Sequence, residues 1–270
     1  MSSRHIIKFV GAAVLFGTVA TGCNLSGLLD VEDPSRISTE SAESPALAAA
    51  LVNGVEAQFV CGYGLYISMV ANLSELDSGT LIGEPLTINR RKPTSLDVWQ
   101  KDDCSDLGGT DGSYVPLAKA RWSADKLVGL LDSWSDSEVA DRQKRIARGL
   151  LLSGMSLSAL GTGFCSGALD LGPELTSLQL FAEGEARFTR AIQVAGGTGQ
   201  TDIVKAATLG RARMRLYLGN TGGALTDAQT IPAGFYYGAT TSNAGPETAN
   251  RGFYSTWYSG HLGIPSWFQT

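Results

Sequence analysis

The sequence predicts an all-α protein, and three observations carry that reading. Apolar residues recur at three- and four-residue spacings in several stretches, which is the period of amphipathic helices. Two Ser/Thr-x-x-Glu/Gln patterns, Ser135 to Glu138 and Thr176 to Gln179, mark helix starts, because side chain and backbone can there satisfy each other's free N–H groups. No stretch shows sustained period-two alternation, so helix pairs joined by short turns are expected, with irregular loops between some of them.

The first helical segment begins at Ala46 and continues through Phe59 towards Val70. Ala46, Ala49, Ala50, Asn53 and Ala57 offer a face of small residues for close packing, and Gly62 and Gly64 are its weak points. Residues 76–112 read as a long irregular connection rich in Gly, Asp, Thr and Pro. Asp111 or Ser113 then caps a helix with Pro116 in its first turn, where a missing N–H does little harm. Its apolar positions are Leu117, Ala120, Ala124, Leu127, Val128 and Leu131. The Ser135 box opens the next helix, which carries Arg142, Lys144, Arg145 and Arg148 near its start, turns apolar from Gly149 to Leu160 and reaches about Asp170.

The Thr176 box opens a helix in which Phe181, Glu185, Phe188 and Ile192 recur at spacings of four, three and four, until Gly196-Gly197 ends it. Thr201 caps a further helix to Leu218. Gly219-Asn220 breaks it, and a short helix runs from Gly222 to Thr230 before Pro232.

Ahead of these helices lies a leader. Arg4, His5 and Lys8 precede an apolar stretch from Phe9 to Ala20, too short to span a bilayer stably. Val19-Ala20-Thr21-Gly22-Cys23 follows and resembles a bacterial lipobox, whose cysteine becomes the acylated N-terminus. Residues 1–22 are therefore expected to be a lipoprotein signal peptide and Cys23 the lipidation site. Asn24, where Asp would signal inner-membrane retention, favours the outer membrane. Residues 23–45, polar and serine-rich with Pro34 and Pro45, form a tether. No later segment has 18 uninterrupted apolar residues, so lipid is the expected anchor.

The 270-residue chain carries a formal charge of −5, and the leader takes two basic residues, Arg4 and Lys8, with it. The resulting acidic body argues against nucleic acid as the main ligand. Beyond the acylated Cys23 three cysteines remain, Cys61, Cys104 and Cys165, so at least one is unpaired or intermolecular. Cys61–Cys104 is the first choice for a disulfide, and Cys165, in an apolar helical run, reads as a small core residue.

Catalytic and metal chemistry are poorly supplied. His261 is the one histidine beyond the leader, and no CxxC, HExxH or paired histidines occur, so neither metal nor cofactor is expected. Gly163-Phe164-Cys165-Ser166-Gly167 matches a cysteine version of the nucleophile elbow, but a helix and not a strand is expected before it. Asp102, Asp103, Asp106 and Asp111 lack the alternating spacing and terminal glutamate of an EF-hand loop. Gly196-Gly197-Thr198-Gly199 has no preceding strand and no following Lys-Ser/Thr, and reads as an interhelical turn. Arg142, Lys144, Arg145 and Arg148 read as a solvated helix face.

The aromatic residues point instead to recognition. Nine of the chain's 22 lie in residues 235–270: Phe235, Tyr236, Tyr237, Phe253, Tyr254, Trp257, Tyr258, Trp267 and Phe268. Flat rings dock the apolar faces of sugars or peptide side chains, and they also serve simply to pack a terminal segment onto a helical body. Trp257, Tyr258 and Trp267 are the candidate ligand contacts.

Ala206 to Pro232 resembles the helix–turn–helix of a tetratricopeptide repeat. Ala224 and Ala228 stand at its packing positions, and Gly184, Phe188 and Ala191 repeat the small-xxx-Phe-xx-Ala spacing. The order of segments is similar to the SusD/RagB family of nutrient-binding outer-membrane lipoproteins. It runs from the lipobox through Leu29-Asp30-Val31 and Pro34, a long first helix leading to Ser74-Glu75-Leu76-Asp77, and Tyr114, Ala120 and Ala124. An apolar helix ending near Asp170-Leu171-Gly172-Pro173, the Phe181 helix and the repeat-like pair complete it.

The resemblance implies a superhelix of tetratricopeptide-like pairs over residues 46–235, capping a TonB-dependent transporter of the SusC kind and delivering glycans or peptides to it. It implies no enzyme activity. Residues 236–270 would then be an aromatic-rich, irregular C-terminal segment, the start of a lobe that family members carry at greater length, so a shortened member or a fragment is expected. The alternative is a surface-anchored repeat scaffold that binds a protein and no small ligand.

Overall fold

Ile146, Ala147, Leu150, Leu151, Leu152, Leu157, Ala159 and Leu160 are all buried, on every side of one helix. A helix apolar all round must be covered all round, and this one, α4 (Arg142–Gly163), is packed by four others. The computed structural model describes residues 38–73, 78–79, 104, 113–242, 245, 248–250 and 262–263. Among these the fold is all-α. The chain divides into two units, Met1–Ala42 and Glu43–Thr270. In the first, the described part is α1 (Thr39–Ala42), where Ser38 Oγ accepts from the Ser41 N–H.

In the second unit a 3₁₀ turn at Pro45–Leu47 leads into α2 (Ala48–Leu73). The helix α3 (Tyr114–Ser133) follows, then α4, α5 (Ser177–Gly197), α6 (Thr201–Tyr217) and α7 (Thr221–Gln229). Helix α4 contacts α2, α3, α5 and α6, while α6 and α7 pack on each other. Two short antiparallel pairings complete the described backbone: β1 (Ser78–Gly79) with β4 (Leu262–Gly263), and β2 (Ser166–Ala168) with β3 (Glu174–Thr176), in register Ser166 to Thr176.

The apolar stripe of α3 is buried at each expected position, Leu117, Ala120, Ala124, Leu127, Val128 and Leu131. Its N-terminal residue Ser113 makes no cap, however. It sits in helical conformation, and its hydroxyl donates to Met69 Sδ on α2 at 3.3 Å. The Thr176 box forms in full, with Thr176 accepting from the Gln179 N–H and the Thr176 N–H donating to Gln179. In the Ser135 box the Ser135 N–H donates to Glu138 Oε2 at 2.7 Å, but the arrangement closes a separate turn. Helix α4 starts later, at Asp141, which adopts the left-handed φ of 54° that Asp tolerates better than most residues.

Helix α4 stops at Gly163, short of the expected Asp170, because the chain extends at Phe164 into β2. Cys165 is consequently past the helix end and exposed, contrary to the expected core position. The small-residue face of α2 is likewise misassigned. Ala46, Ala49, Ala50 and Asn53 are exposed, and the buried face is Val52, Val55, Phe59 and Val60, whose larger side chains release more free energy on burial. Gly62 is no weak point: a Cβ there would lie 2.9 Å from the backbone of Pro116 and Leu117, so the glycine lets α2 press onto the start of α3.

Cys61 next to it is bonded to Cys104, with the Cα atoms 6.1 Å apart. By length and composition alone, Pro45–Ala71 is apolar enough to cross a membrane, with a mean hydropathy of 1.2. One side of it carries Glu56, which pairs with Arg148 of α4.

Candidate functional site

A cavity of about 200 Å³ opens where α2, α4, α5 and α6 meet. Helix α2 supplies two of its rings, Tyr63 and Tyr66, which share one helical face with the buried Phe59. Phe59 and Tyr63 stack with centroids 5.2 Å apart, and Tyr63 and Tyr66 with centroids 6.0 Å apart. Glycines on the facing helices make room for rings. A Cβ at Gly163 would lie 2.6 Å from the Tyr66 ring, and one at Gly154 or Gly210 would lie 2.7 or 2.5 Å from Phe188. Glycine inside a helix costs roughly 0.5–1 kcal/mol relative to alanine, which close ring packing offsets here.

The polar lining follows from the same helices. Thr162 Oγ1 donates to the Ser158 carbonyl at 2.8 Å, so the Tyr66 hydroxyl, 2.8 Å away, is the donor to Thr162. Burial pushes the Tyr63 phenol up, Arg213 of α6 pulls it down, and Tyr66 adds a smaller upward push. At neutral pH the Tyr63 hydroxyl is therefore protonated and able both to donate and to accept. Neither the Tyr63 hydroxyl nor that of Ser158 has a hydrogen-bond partner among the described residues.

Tyr237 closes one wall of the cavity. The Arg148 guanidinium stands 5.6 Å over its ring, held there by its ion pair with Glu56. The Tyr237 hydroxyl is buried without a partner among the described residues, which costs about 1–3 kcal/mol. Arg213 reaches the cavity from α6 and is exposed.

A second cavity, of about 260 Å³, lies between α2 and α3 and is lined by Leu51, Val55, Leu127 and Leu130. Trp122 lies open on its edge, 47% exposed. Lys126 Nζ stands 5.0 Å over the indole and also pairs with Glu43.

Sequence reasoning reached part of this. Tyr237 belongs to the aromatic-rich stretch it singled out. Tyr63, Tyr66, Ser158, Thr162 and Arg213 were missed, since they come together only when four helices pack. The legible signal was the set of glycines inside α4 and α6, each marking a close approach. The candidate contacts Trp257, Tyr258 and Trp267 lie outside the described residues, as do Cys23, His261 and the acidic group Asp102, Asp103, Asp106 and Asp111.

The basic group at the start of α4 is only partly a solvated face. Arg142 bonds Asp136 and the Leu131 carbonyl, and Arg148 bonds Glu56, so two of the four tie elements together. In the repeat-like pair Ala224 is buried, but Ala228 is exposed and Asp227 occupies the packed position beside Arg211 and Arg215. Gly184, Phe188 and Ala191 are buried as expected. Around Cys165 the order is helix then strand, the reverse of a nucleophile elbow. Among the described residues no group of three or more His, Cys, Asp or Glu could hold a metal ion.

The sequence matches no protein-family model and no curated protein.

Proposed function

We propose that this chain is a lipid-anchored recognition protein of the outer membrane, which binds a nutrient, glycan or peptide, and hands it to a TonB-dependent transporter. The observation that carries the reading is the cavity walled by Tyr63, Tyr66, Phe188 and Tyr237, in which the hydroxyls of Tyr63 and Ser158 have no hydrogen-bond partner among the described residues. Rings that bind apolar faces and hydroxyls that orient polar ones are the chemistry of small-ligand recognition. The work is recognition without bond breaking, and Cys23 keeps the binding body beside its transporter. The order of segments from the lipobox to the repeat-like pair supports the same reading.

Calorimetric titration of the purified protein with a panel of oligosaccharides and short peptides tests it. Binding of at least one of them, weakened at least tenfold by Tyr63→Ala, is expected. Binding that is indifferent to Tyr63→Ala moves the site elsewhere, and a folded protein that binds none of the panel overturns the reading.

A second reading is favoured by the exposed Trp122 and the apolar cavity beside it: a surface-anchored scaffold that docks a protein. Co-purification of a partner that is lost in Trp122→Ala, with no small-ligand binding, selects that reading over the first.

A further inference from the structure

We infer that the cavity between α2, α4, α5 and α6 receives a single acidic sugar ring, a uronic-acid residue of an oligosaccharide, with Arg213 as the counter-ion of its carboxylate. The inference rests on the nutrient-binding reading and names its ligand class.

The first argument is electrostatic. Arginines of the helical body are engaged almost throughout: Arg121 with Asp170, Arg142 with Asp136, Arg148 with Glu56, Arg187 with Asp125, Arg190 with Asp132. Arg211 and Arg215, two positions to either side of Arg213, share Asp227. Arg213 has no hydrogen bond and no ion pair among the described residues, although the chain carries more acidic than basic side chains. It lines the cavity, and no Asp or Glu lines it among the described residues. The cavity therefore presents an uncompensated positive charge in an acidic protein, and a fork of guanidinium donors matches a planar carboxylate.

The second argument is the match of the remaining surface. A bare phosphate or sulfate would use Arg213 and leave the walls of Tyr63, Tyr66 and Tyr237 without a function. An aromatic acid would use the walls and leave the hydroxyls of Tyr63 and Ser158 covered but unpaired, which weakens binding. A uronic-acid ring answers all three: a carboxylate for Arg213, a C–H face for the tyrosines, and ring hydroxyls for Tyr63 and Ser158.

The third is size. At about 200 Å³ the cavity falls below the ~300–1,000 Å³ of pockets that enclose drug-sized ligands. One ring fits, and the rest of an oligosaccharide would lie outside it along the exposed side of α6.

The test is calorimetric titration of the full-length, lipid-anchored protein in detergent with two sets of trisaccharides. One set is acidic (trigalacturonate, trimannuronate, a hyaluronan fragment), and the other is neutral (galactotriose, mannotriose, maltotriose). At least one acidic trisaccharide is expected to bind at least tenfold more tightly than any neutral one. That preference should shrink as sodium chloride is raised from 50 to 500 mM, because exposed charges are screened. Arg213→Gln should abolish the preference and Arg213→Lys should keep part of it, with circular dichroism showing each variant folded. Neutral sugars that bind as tightly as acidic ones, or a preference that survives Arg213→Gln, overturn this inference and leave the nutrient-binding reading standing. If no sugar binds but a peptide of the panel does, the acidic-sugar assignment falls alone. If neither binds, both fall.

Discussion

Arg121, only 3% exposed, donates two hydrogen bonds to the carboxylate of Asp170, at 2.9 and 2.8 Å. The two residues lie 49 positions apart, and the pair ties the middle of α3 to the turn between β2 and β3. Asp170 and Leu171 both hold left-handed backbone, with φ of 52° and 61°, so the turn is strained and the ion pair helps to hold it.

Asp170→Ala should therefore lower stability by about 1–2 kcal/mol, less than for a fully buried pair because the Asp170 side chain is 58% exposed. Chemical denaturation reads this directly, and an unchanged midpoint would remove Asp170 from the list of stabilising residues.

The same pair sets a pH dependence. The Arg121 hydrogen bond, with smaller help from the Arg121 and Arg187 charges, holds the Asp170 carboxyl below the usual carboxylate range against the opposing effect of burial. A carboxyl depressed in the folded state stabilises above its unfolded pKa, and the stabilisation is lost as pH falls through the folded value. Asp170→Asn should flatten the acid limb of a stability–pH curve relative to the wild type. Two parallel curves would contradict this assignment.

Phe188 is seated between Gly154 and Gly210, and either glycine given a Cβ would press it within 3 Å of the ring. Gly154→Ala and Gly210→Ala should each cost about 1–3 kcal/mol and narrow the cavity floor. Gly196→Ala, which meets nothing within 4 Å near the end of α5, is the contrast and should be neutral or stabilising by up to about 1 kcal/mol. Thermal melts of the three variants separate these outcomes.

Cys61 and Cys104 close a loop of sequence separation 43. Chain-entropy arguments put the loss on Cys61→Ser at about 4 kcal/mol. A denaturation midpoint that does not move between oxidised and reduced protein would show the bond to be absent or energetically silent.

Asp227 is 6% exposed and bonds both Arg211 and Arg215. Asp227→Asn should cost about 2–4 kcal/mol, because it takes from the mostly buried Arg211 its one acid among the described residues, while Arg215 keeps Glu185. The expected local signature is early loss of amide protection in α7, measured by hydrogen exchange.

How much of this was legible in the sequence depended on the range of the cause. The α3 stripe was legible in full, since a 3.6-residue period exposes which face must be covered. The Thr176 box was legible because its partners lie within one turn. The Ser135 box uses the same local chemistry, yet it closes a turn and leaves the start of α4 to Asp141; nothing within four residues distinguishes the two cases. Cys165 was misplaced because an apolar run does not announce where a helix stops. On α2 both faces are apolar, so periodicity alone could not say whether the alanines or Val52, Val55 and Phe59 would turn inward.

The candidate site shows the same division more sharply. Sequence alone determined that the protein is helical, where most helices run, and that Thr176 caps one of them, because propensity, capping and amphipathic period are properties of neighbouring residues. Only the tertiary structure decided that Tyr63, Ser158, Arg213 and Tyr237, drawn from segments up to 174 positions apart, face one cavity, and that Arg213 meets no acid among the described residues while Arg211 and Arg215 share one. Those outcomes turn on how helices cross and which side chains meet. They are set by the packing of the whole core, and no local window of the chain contains them.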